Sequence, residues 1–144
     1  MIKAVGVIGA GTMGNGIAQV FAQHGFGVLL HDASAAAIDR ARATIEKSLG
    51  KFVEKGKLTA EQRDTAIAGI RPAASIDDLA PADYVVEAIL ENADIKKKLF
   101  ADLDRITRPD VILSSNTSSI SITTLGAATT RPDKVLGMHF MNPV

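Results

Sequence analysis

Two short runs near the carboxyl end hold the side chains best suited to moving a proton. One is Ser114-Ser115-Asn116-Thr117-Ser118-Ser119 and the other is His139-Phe140-Met141-Asn142-Pro143. An imidazole, with an ordinary pKa of about 6.5, can take a hydroxyl proton near neutrality. A serine hydroxyl such as that of Ser118 can hold an oxygen as it changes from alcohol to carbonyl. Each run also has an ordinary explanation, since hydroxyl-rich stretches cap turns and helices and a histidine at a strand end can be satisfied locally. What tips the balance is a neighbouring site for a group that accepts the hydride such an alcohol must lose.

The amino-terminal stretch offers that site. Residues 4 to 31 contain no Asp, Glu, Lys or Arg, which is long enough to suggest a membrane span or a leader. Gly6, Gly9, Gly11, Gly14, Gly16, Gly25 and Gly27 interrupt it, however, with Asn15, Gln19 and Gln23 between them, unlike either kind of segment. A better parse is a strand from Ile2 to Ile8, a tight turn at Gly9-Ala10-Gly11 and a helix from about Thr12. Met13, Ile17, Val20 and Phe21 then share one helical face. In Gly9-Ala10-Gly11-Thr12-Met13-Gly14, Gly9 permits the bend, Gly11 lets backbone approach a pyrophosphate, and Gly14 lets helix pack closely on strand. The helix amino end, with Thr12 and Met13 in its first turn, points free N–H groups and a positive dipole at the phosphates. A second apolar run, Phe26 to Leu30, leads to Asp32, 23 residues after Gly9, where a dinucleotide fingerprint places an acid for the adenosine ribose hydroxyls. Asp32 is equally suited to begin the next helix, and the two roles are compatible. Its charge opposes a 2'-phosphate and no arginine follows until Arg40, so the expected cofactor is NAD rather than NADP.

The rest of the chain must position these groups. The pattern predicts a helix from about Ser34 to Lys55, a turn at Gly56, and a helix from about Ala60 with Thr59 and Gln62 as a capping box. A short strand follows near Gly69 to Ala73, then a strand Asp83 to Ile89 of buried-sheet character. A helix from Asn92 to Ile106 carries Ile95, Leu99, Leu103 and Ile106 on one stripe. Val111 to Ser114 reads as a strand, Ile122 to Ala127 as a short helix and Lys134 to Phe140 as a last strand. Strands alternating with helices imply an α/β, Rossmann-type, doubly wound, mostly parallel sheet, with ligands outside the carboxyl ends of the strands. Nearly forty residues separate Asp32 from the strand near residue 70, and a helix from 34 to 55 would run about 33 Å at 1.5 Å per residue. The crossover is therefore a long helical hairpin, part of which projects. Lys47, Lys51 and Lys55 form a basic stripe on it, with Glu46 and Glu54 interleaved, so pattern alone favours a solvated face.

Composition narrows the function class. The 144 residues make one dinucleotide-binding domain able to bury a real core. Lys plus Arg and Asp plus Glu are 16 each, leaving no net field for nucleic acid or an anionic membrane. There is no Cys or Trp, which removes disulfides, thiolate catalysis and cysteine metal sites, and no metal is expected. No signal peptide is legible, making the cytoplasm the default location.

In this order and spacing, Gly9-Ala10-Gly11-Thr12-Met13-Gly14, VVEAILEN (85–92), SNTSS (115–119) and GMHFMNPV (137–144) resemble the amino-terminal domain of the 3-hydroxyacyl-CoA dehydrogenases, with the short-chain 3-hydroxybutyryl-CoA enzymes nearest. The resemblance spans essentially the whole chain. It implies His139 as catalytic base, Ser118 against the substrate oxygen, and Asn142 arranging cofactor and substrate, with Asn116 also on the cofactor. It places Asp32 on the adenosine ribose and Glu91 and Lys96 near the cofactor, Lys96 also within reach of acyl-CoA. Ser48 and Lys55 match CoA-contacting positions on the helical arm. The implied reaction is reversible NAD-dependent oxidation of an L-3-hydroxyacyl-CoA to the 3-ketoacyl-CoA. Members of this family pair the histidine with a glutamate a dozen residues downstream and continue into an all-helical domain that completes the substrate site and forms most of a homodimer contact. The sequence ends at Val144, so a longer enzyme with that domain is expected, and this length of chain is expected to be poorly active.

Two other readings compete. A related dehydrogenase of a free hydroxy or sugar acid would use the same base and cofactor without CoA, and its turnover would not respond to neutralising Lys55. A non-catalytic NAD-binding module would need none of Ser118, His139 and Asn142 together.

Overall fold

A computed structural model describes residues 1–141. Six strands form one sheet: β1 (Ala4–Ile8), β2 (Gly27–His31), β3 (Ile70–Ala73), β4 (Tyr84–Glu87), β5 (Ile112–Ser115) and β6 (Val135–Gly137), in the order β3-β2-β1-β4-β5-β6. Every pairing is parallel. The chain winds outward from β1 to β3, then returns to place β4 on the other side of β1. That reversal opens a crevice beside the carboxyl ends of β1 and β4, where open α/β sheets bind ligands.

Both faces of the sheet are covered, which is why β1, β2 and β4 read as nearly unbroken apolar runs. On one face Val5, Val7, Val28 and Leu30 pack with Ile17 of α1 (Thr12–Gln23) and with Ile38, Ile45 and Leu49 of α2 (Ala35–Glu54). On the other, Val85 and Leu113 meet Leu99, Phe100 and Leu103 of α4 (Ala93–Ile106) and Leu125 of α5 (Ile122–Ala127). Short 3-10 turns at Ile76–Leu79 and Pro132–Lys134 precede β4 and β6.

The helical hairpin is α2 followed by α3 (Ala60–Ala68). Ser34 caps α2 by accepting from the Ala37 N–H, and the Thr59–Gln62 capping box closes at 3.0 and 2.9 Å. Less of the hairpin projects than its length suggests. Leu49 is fully buried and Phe52 and Leu58 pack against the core, so the exposed part is the turn around Lys55, Gly56 and Lys57. Gly56 has φ +73° there, a conformation that glycine adopts freely.

Three expected strands are shorter than their apolar runs, among them the one over 83–89, which spans only Tyr84–Glu87 as the Ile89 N–H turns back to the Glu87 carboxylate. The first begins at Ala4, because the N–H groups of Lys3 and Ala4 turn aside to the Asp83 carboxylate at 2.8 and 2.9 Å. The last spans only Val135–Gly137, since β5 offers partners for those residues alone. Met138 donates one further bond to the Ser115 carbonyl, and Phe140 then donates to Asn116 Oδ1 instead of a strand. His139 thus leaves the sheet at its carboxyl edge.

Candidate functional site

The glycine turn is built as its spacing requires. Gly9 has φ +104°, and a methyl group there would stand 2.5 Å from the Ala88 carbonyl oxygen. A methyl at Gly14 would overlap the Gly9 carbonyl oxygen, so α1 can approach β1 only without a side chain at that position. Gly11 differs, because a methyl there would meet no protein atom within 4 Å. It faces open space at the amino end of α1 and offers no side-chain cap. A chain that leaves its backbone bare toward an open helix terminus is suited to receive an anion. Asp32 frames this turn: Oδ2 accepts from the Ala10 N–H at 2.8 Å and Oδ1 from the Ser34 N–H at 2.9 Å. Each oxygen keeps a lone pair for a further donor.

Two cavities lie along the carboxyl edge of the sheet and share Ala88 and Ile89 as wall. The first, of ≈ 560 Å³, is bounded by Gly9, Gly11 and Asp32 on one side and by Ile95 and Leu99 on the other. The second, of ≈ 320 Å³, is lined by Met13, Glu91, Lys96, Asn116, Ser118 and His139. Together they make a long cleft with an apolar half and a polar half, a shape that fits a dinucleotide lying across the switch point with a second molecule at its polar end.

Hydrogen bonding separates Ser118 from its neighbours. Ser114 donates to the Val85 carbonyl, Ser115 to Glu87 Oε1, and Thr117 and Ser119 both to Glu91 Oε2. Ser118 is exposed, lines the polar cavity and has no hydrogen-bond partner among the described residues. The run thus splits into four hydroxyls that shape the loop and one available to a ligand. Asn116 ties this loop to the next through its bond from the Phe140 N–H at 2.7 Å, which brings His139 to the same cavity.

A carboxylate that sequence reasoning passed over anchors the polar half. Glu87, at the end of β4, is fully buried. It accepts from the Ile89 N–H at 2.7 Å and lies 3.1 Å from Lys96 Nζ, which also reaches Glu91 Oε1 at 2.6 Å. Its signal in the sequence was a charge inside the apolar run Val85-Val86-Glu87-Ala88-Ile89. Lys96 is accordingly a buried cation held by two carboxylates, not a free one extended toward solvent. Partial burial pushes the Glu91 carboxyl up, but bonds from Lys96, Ser119 and Thr117 and the Lys96 charge outweigh it and bring its pKa down to about 2.

Not every expected residue joins the cleft. Ser48 accepts from Gln19 Nε2 at 2.9 Å, joining α2 to α1, and Lys55 is exposed at the end of α2. Neither lines either cavity. Asn142 lies outside the described residues. Among those described, no helix is long and apolar enough to cross a membrane.

Residues 4–144 match the family model for the NAD-binding domain of 3-hydroxyacyl-CoA dehydrogenases. A probable 3-hydroxybutyryl-CoA dehydrogenase of Deinococcus radiodurans is 55% identical over 139 residues, covering 96% of this chain and 50% of the relative. The crystal structure of a 3-hydroxybutyryl-CoA dehydrogenase from Escherichia coli K12 superposes with a TM-score of 0.97 at 47% identity, over 99% of this chain and 30% of that one. An (S)-3-hydroxybutyryl-CoA dehydrogenase from Ralstonia eutropha gives 0.95 at 49% identity, over 100% of this chain and 51% of that one. The chain spans about half the length of the curated 3-hydroxybutyryl-CoA dehydrogenases it matches.

Proposed function

Because the chain belongs to the family of 3-hydroxyacyl-CoA dehydrogenase NAD-binding domains, we propose that its protein reversibly oxidises L-3-hydroxyacyl-CoA, 3-hydroxybutyryl-CoA foremost, to the 3-ketoacyl-CoA. NAD, when bound, accepts the hydride from C3 of the hydroxyacyl group. Asp32 holds the adenosine ribose, while Gly11 and the first turn of α1, Thr12 and Met13 included, receive the pyrophosphate. Asn116 and Ser118 face the nicotinamide end with Glu91 and Lys96 as its wall, and Asn142 helps to arrange cofactor and substrate.

In this reading Ser118 donates a hydrogen bond to the substrate oxygen and His139 takes its proton at an imidazole nitrogen. Both donate and accept without first breaking a bond to another described side chain. The observation that carries the proposal is that Ser118, the one uncommitted hydroxyl of its run, shares a cavity with His139. Ser48 and Lys55 contact CoA from the helical arm, which requires the acyl-CoA to extend beyond the cleft. A glutamate a dozen residues downstream orients His139, a following helical domain completes the substrate site and forms most of a homodimer contact, and the enzyme works in the cytoplasm.

The test is NADH formation from 3-hydroxybutyryl-CoA by the 144-residue chain and by the protein extended through a following helical domain. The extended protein is expected to turn over at least about a hundredfold faster, since general-base catalysis is worth 10² to 10⁴ in rate and depends on an oriented imidazole. Equal rates with NAD saturating would mean that the base or its partner is misassigned. Lys55→Ala separates CoA esters from free acids: unchanged turnover would favour a free hydroxy acid substrate.

A further inference from the structure

The apolar cavity holds three polar side chains that the reading above leaves idle, His31, Lys98 and Asp102, of which the last two pair with each other. His31 ends β2, and alternate residues of a strand share a face. Leu29, two residues earlier, packs with Leu99 and Phe100, so His31 is directed to the α4 side of the sheet, where Ile76, Ile95 and Leu99 line the cavity that His31 also borders. Its Nδ1 lies 2.8 Å from the Ala73 carbonyl oxygen. A carbonyl can only accept, so Nδ1 carries the proton, and in the ring's uncharged form that leaves the lone pair on Nε2.

Nε2 makes no hydrogen bond among the described residues, yet among those same residues no buried side-chain nitrogen or oxygen is without a partner. Nε2 is therefore open to solvent. The charged groups of this cavity have other tasks: Asp32 accepts from two backbone N–H groups and keeps its remaining lone pairs for the ribose, and Lys98 pairs with Asp102 at 3.4 Å. A flat base entering so apolar a slot must find a partner for its polar edge.

We propose that His31 is a specificity-determining residue that reads position 6 of the purine in the bound dinucleotide. Adenine carries an amino donor there and hypoxanthine a carbonyl acceptor. An Nε2 lone pair accepts from the first and opposes the second. The inference rests on the cofactor reading above and adds to it a choice between bases that Asp32, directed at the ribose, does not make.

The experiment measures dissociation constants of NADH and its hypoxanthine analogue, deamino-NADH, by nicotinamide fluorescence, with no turnover required. One net hydrogen bond is worth a factor of about 3 to 10, and opposed lone pairs add to it, so the protein is expected to prefer NADH by about tenfold. His31→Asn keeps an N–H at the place of Nδ1 for Ala73 and has no atom at the place of Nε2. It should bring the two constants within about twofold at an unchanged melting temperature. His31→Gln puts a rotatable amide near Nε2 and should bind both bases. Equal binding by the unaltered protein, or a tenfold preference surviving in His31→Asn, overturns the role of His31 and leaves the cofactor reading standing. Failure to bind either dinucleotide overturns both.

Discussion

Lys96→Met removes the cation from the centre of the polar half and gives a sharp test of how that half is held. Lys96 and Glu87 are 1% and 0% exposed, with Nζ 3.1 Å from Oε2. The variant leaves Glu87 with the Ser115 hydroxyl and the Ile89 N–H as donors and no positive charge to offset its burial. Removing one partner of a buried pair costs about 3–5 kcal/mol, because the other charge stays desolvated. Glu91 adds little to that cost, for its side chain is 42% exposed and can exchange Lys96 for water. Unfolding entropy of about 2.1 cal/mol/K per residue, over a domain of this length, converts the loss to a melting temperature lower by roughly 10–17 °C. Adding Glu87→Gln neutralises the stranded carboxylate and should recover at least half of that drop, whereas Glu87→Gln alone should itself destabilise by leaving Lys96 only one of its two carboxylates, Glu91. Calorimetric melts of the four proteins in one buffer close the cycle. A Lys96→Met protein melting within about 3 °C of the unaltered one, with no coupling to Glu87, would refute the picture of a buried ion pair organising this end of the sheet.

The remaining predictions concern the cofactor, the arm and acid stability. NADH should bind at least about tenfold more tightly than NADPH, because a 2'-phosphate would meet the Asp32 carboxylate at like charge; titration by nicotinamide fluorescence settles it, and tighter NADPH would sink the idea. Amides from 51 to 58 should exchange hydrogen much faster than those of Val85 and Val86, since only Phe52, Val53 and Leu58 there are even partly covered; equal protection in the free protein would contradict the assignment. The N–H groups of Ala4 and Lys3, then Arg108, hold the Asp83 carboxyl down at about 2 against a small opposing effect of burial, from an ordinary 3.8. A depressed carboxyl stabilises the fold above its unfolded pKa and loses that contribution as pH falls through the folded value. Stability should therefore fall between about pH 4 and 2, and Asp83→Asn should be weaker at neutral pH with a flatter decline over that window, as read by urea unfolding at pH 7 and pH 3.

What could be read from the sequence was whatever depends on neighbours along the chain. Gly9, Gly11 and Gly14 were assigned separate tasks within one turn by their spacing alone; the Gly9 φ bears out the bend, the overlap at Gly14 bears out the close packing, and Gly11 opens onto free space. The capping box at Thr59 and the sheet with its long helical hairpin were legible for the same reason. Strand ends were not, because they depend on partners elsewhere: β6 stops at Gly137 where β5 runs out, and β1 starts at Ala4 because Asp83, far along the chain, takes the N–H groups before it. Glu87 was missed on similar grounds. A lone acid in an apolar strand becomes intelligible only when α4 brings Lys96 against it.

The division of labour within Ser114-Ser115-Asn116-Thr117-Ser118-Ser119 shows why types and spacing can name a site without ranking its members. By residue type the five hydroxyls are equivalent, and it is the family resemblance that singles out Ser118. Parallel pairing of β4 with β5 sets Ser114 beside Val86 and Ser115 beside Glu87, which commits both to β4. Lys96 draws Glu91 inward, and Glu91 in turn takes the Thr117 and Ser119 hydroxyls. Ser118 is left over because its neighbours on either side are bound to the same carboxylate oxygen. The ion pair therefore does more than neutralise charge. By fixing Glu91 it holds the loop with Ser118 outward, on the wall of the cavity that His139 enters from β6. A variant that frees Glu91, such as Lys96→Met, should on this logic impair Ser118 even where the fold survives, so its turnover should fall by more than its loss of NAD affinity explains. Turnover and affinity falling by the same factor would mean that Ser118 needs no such support.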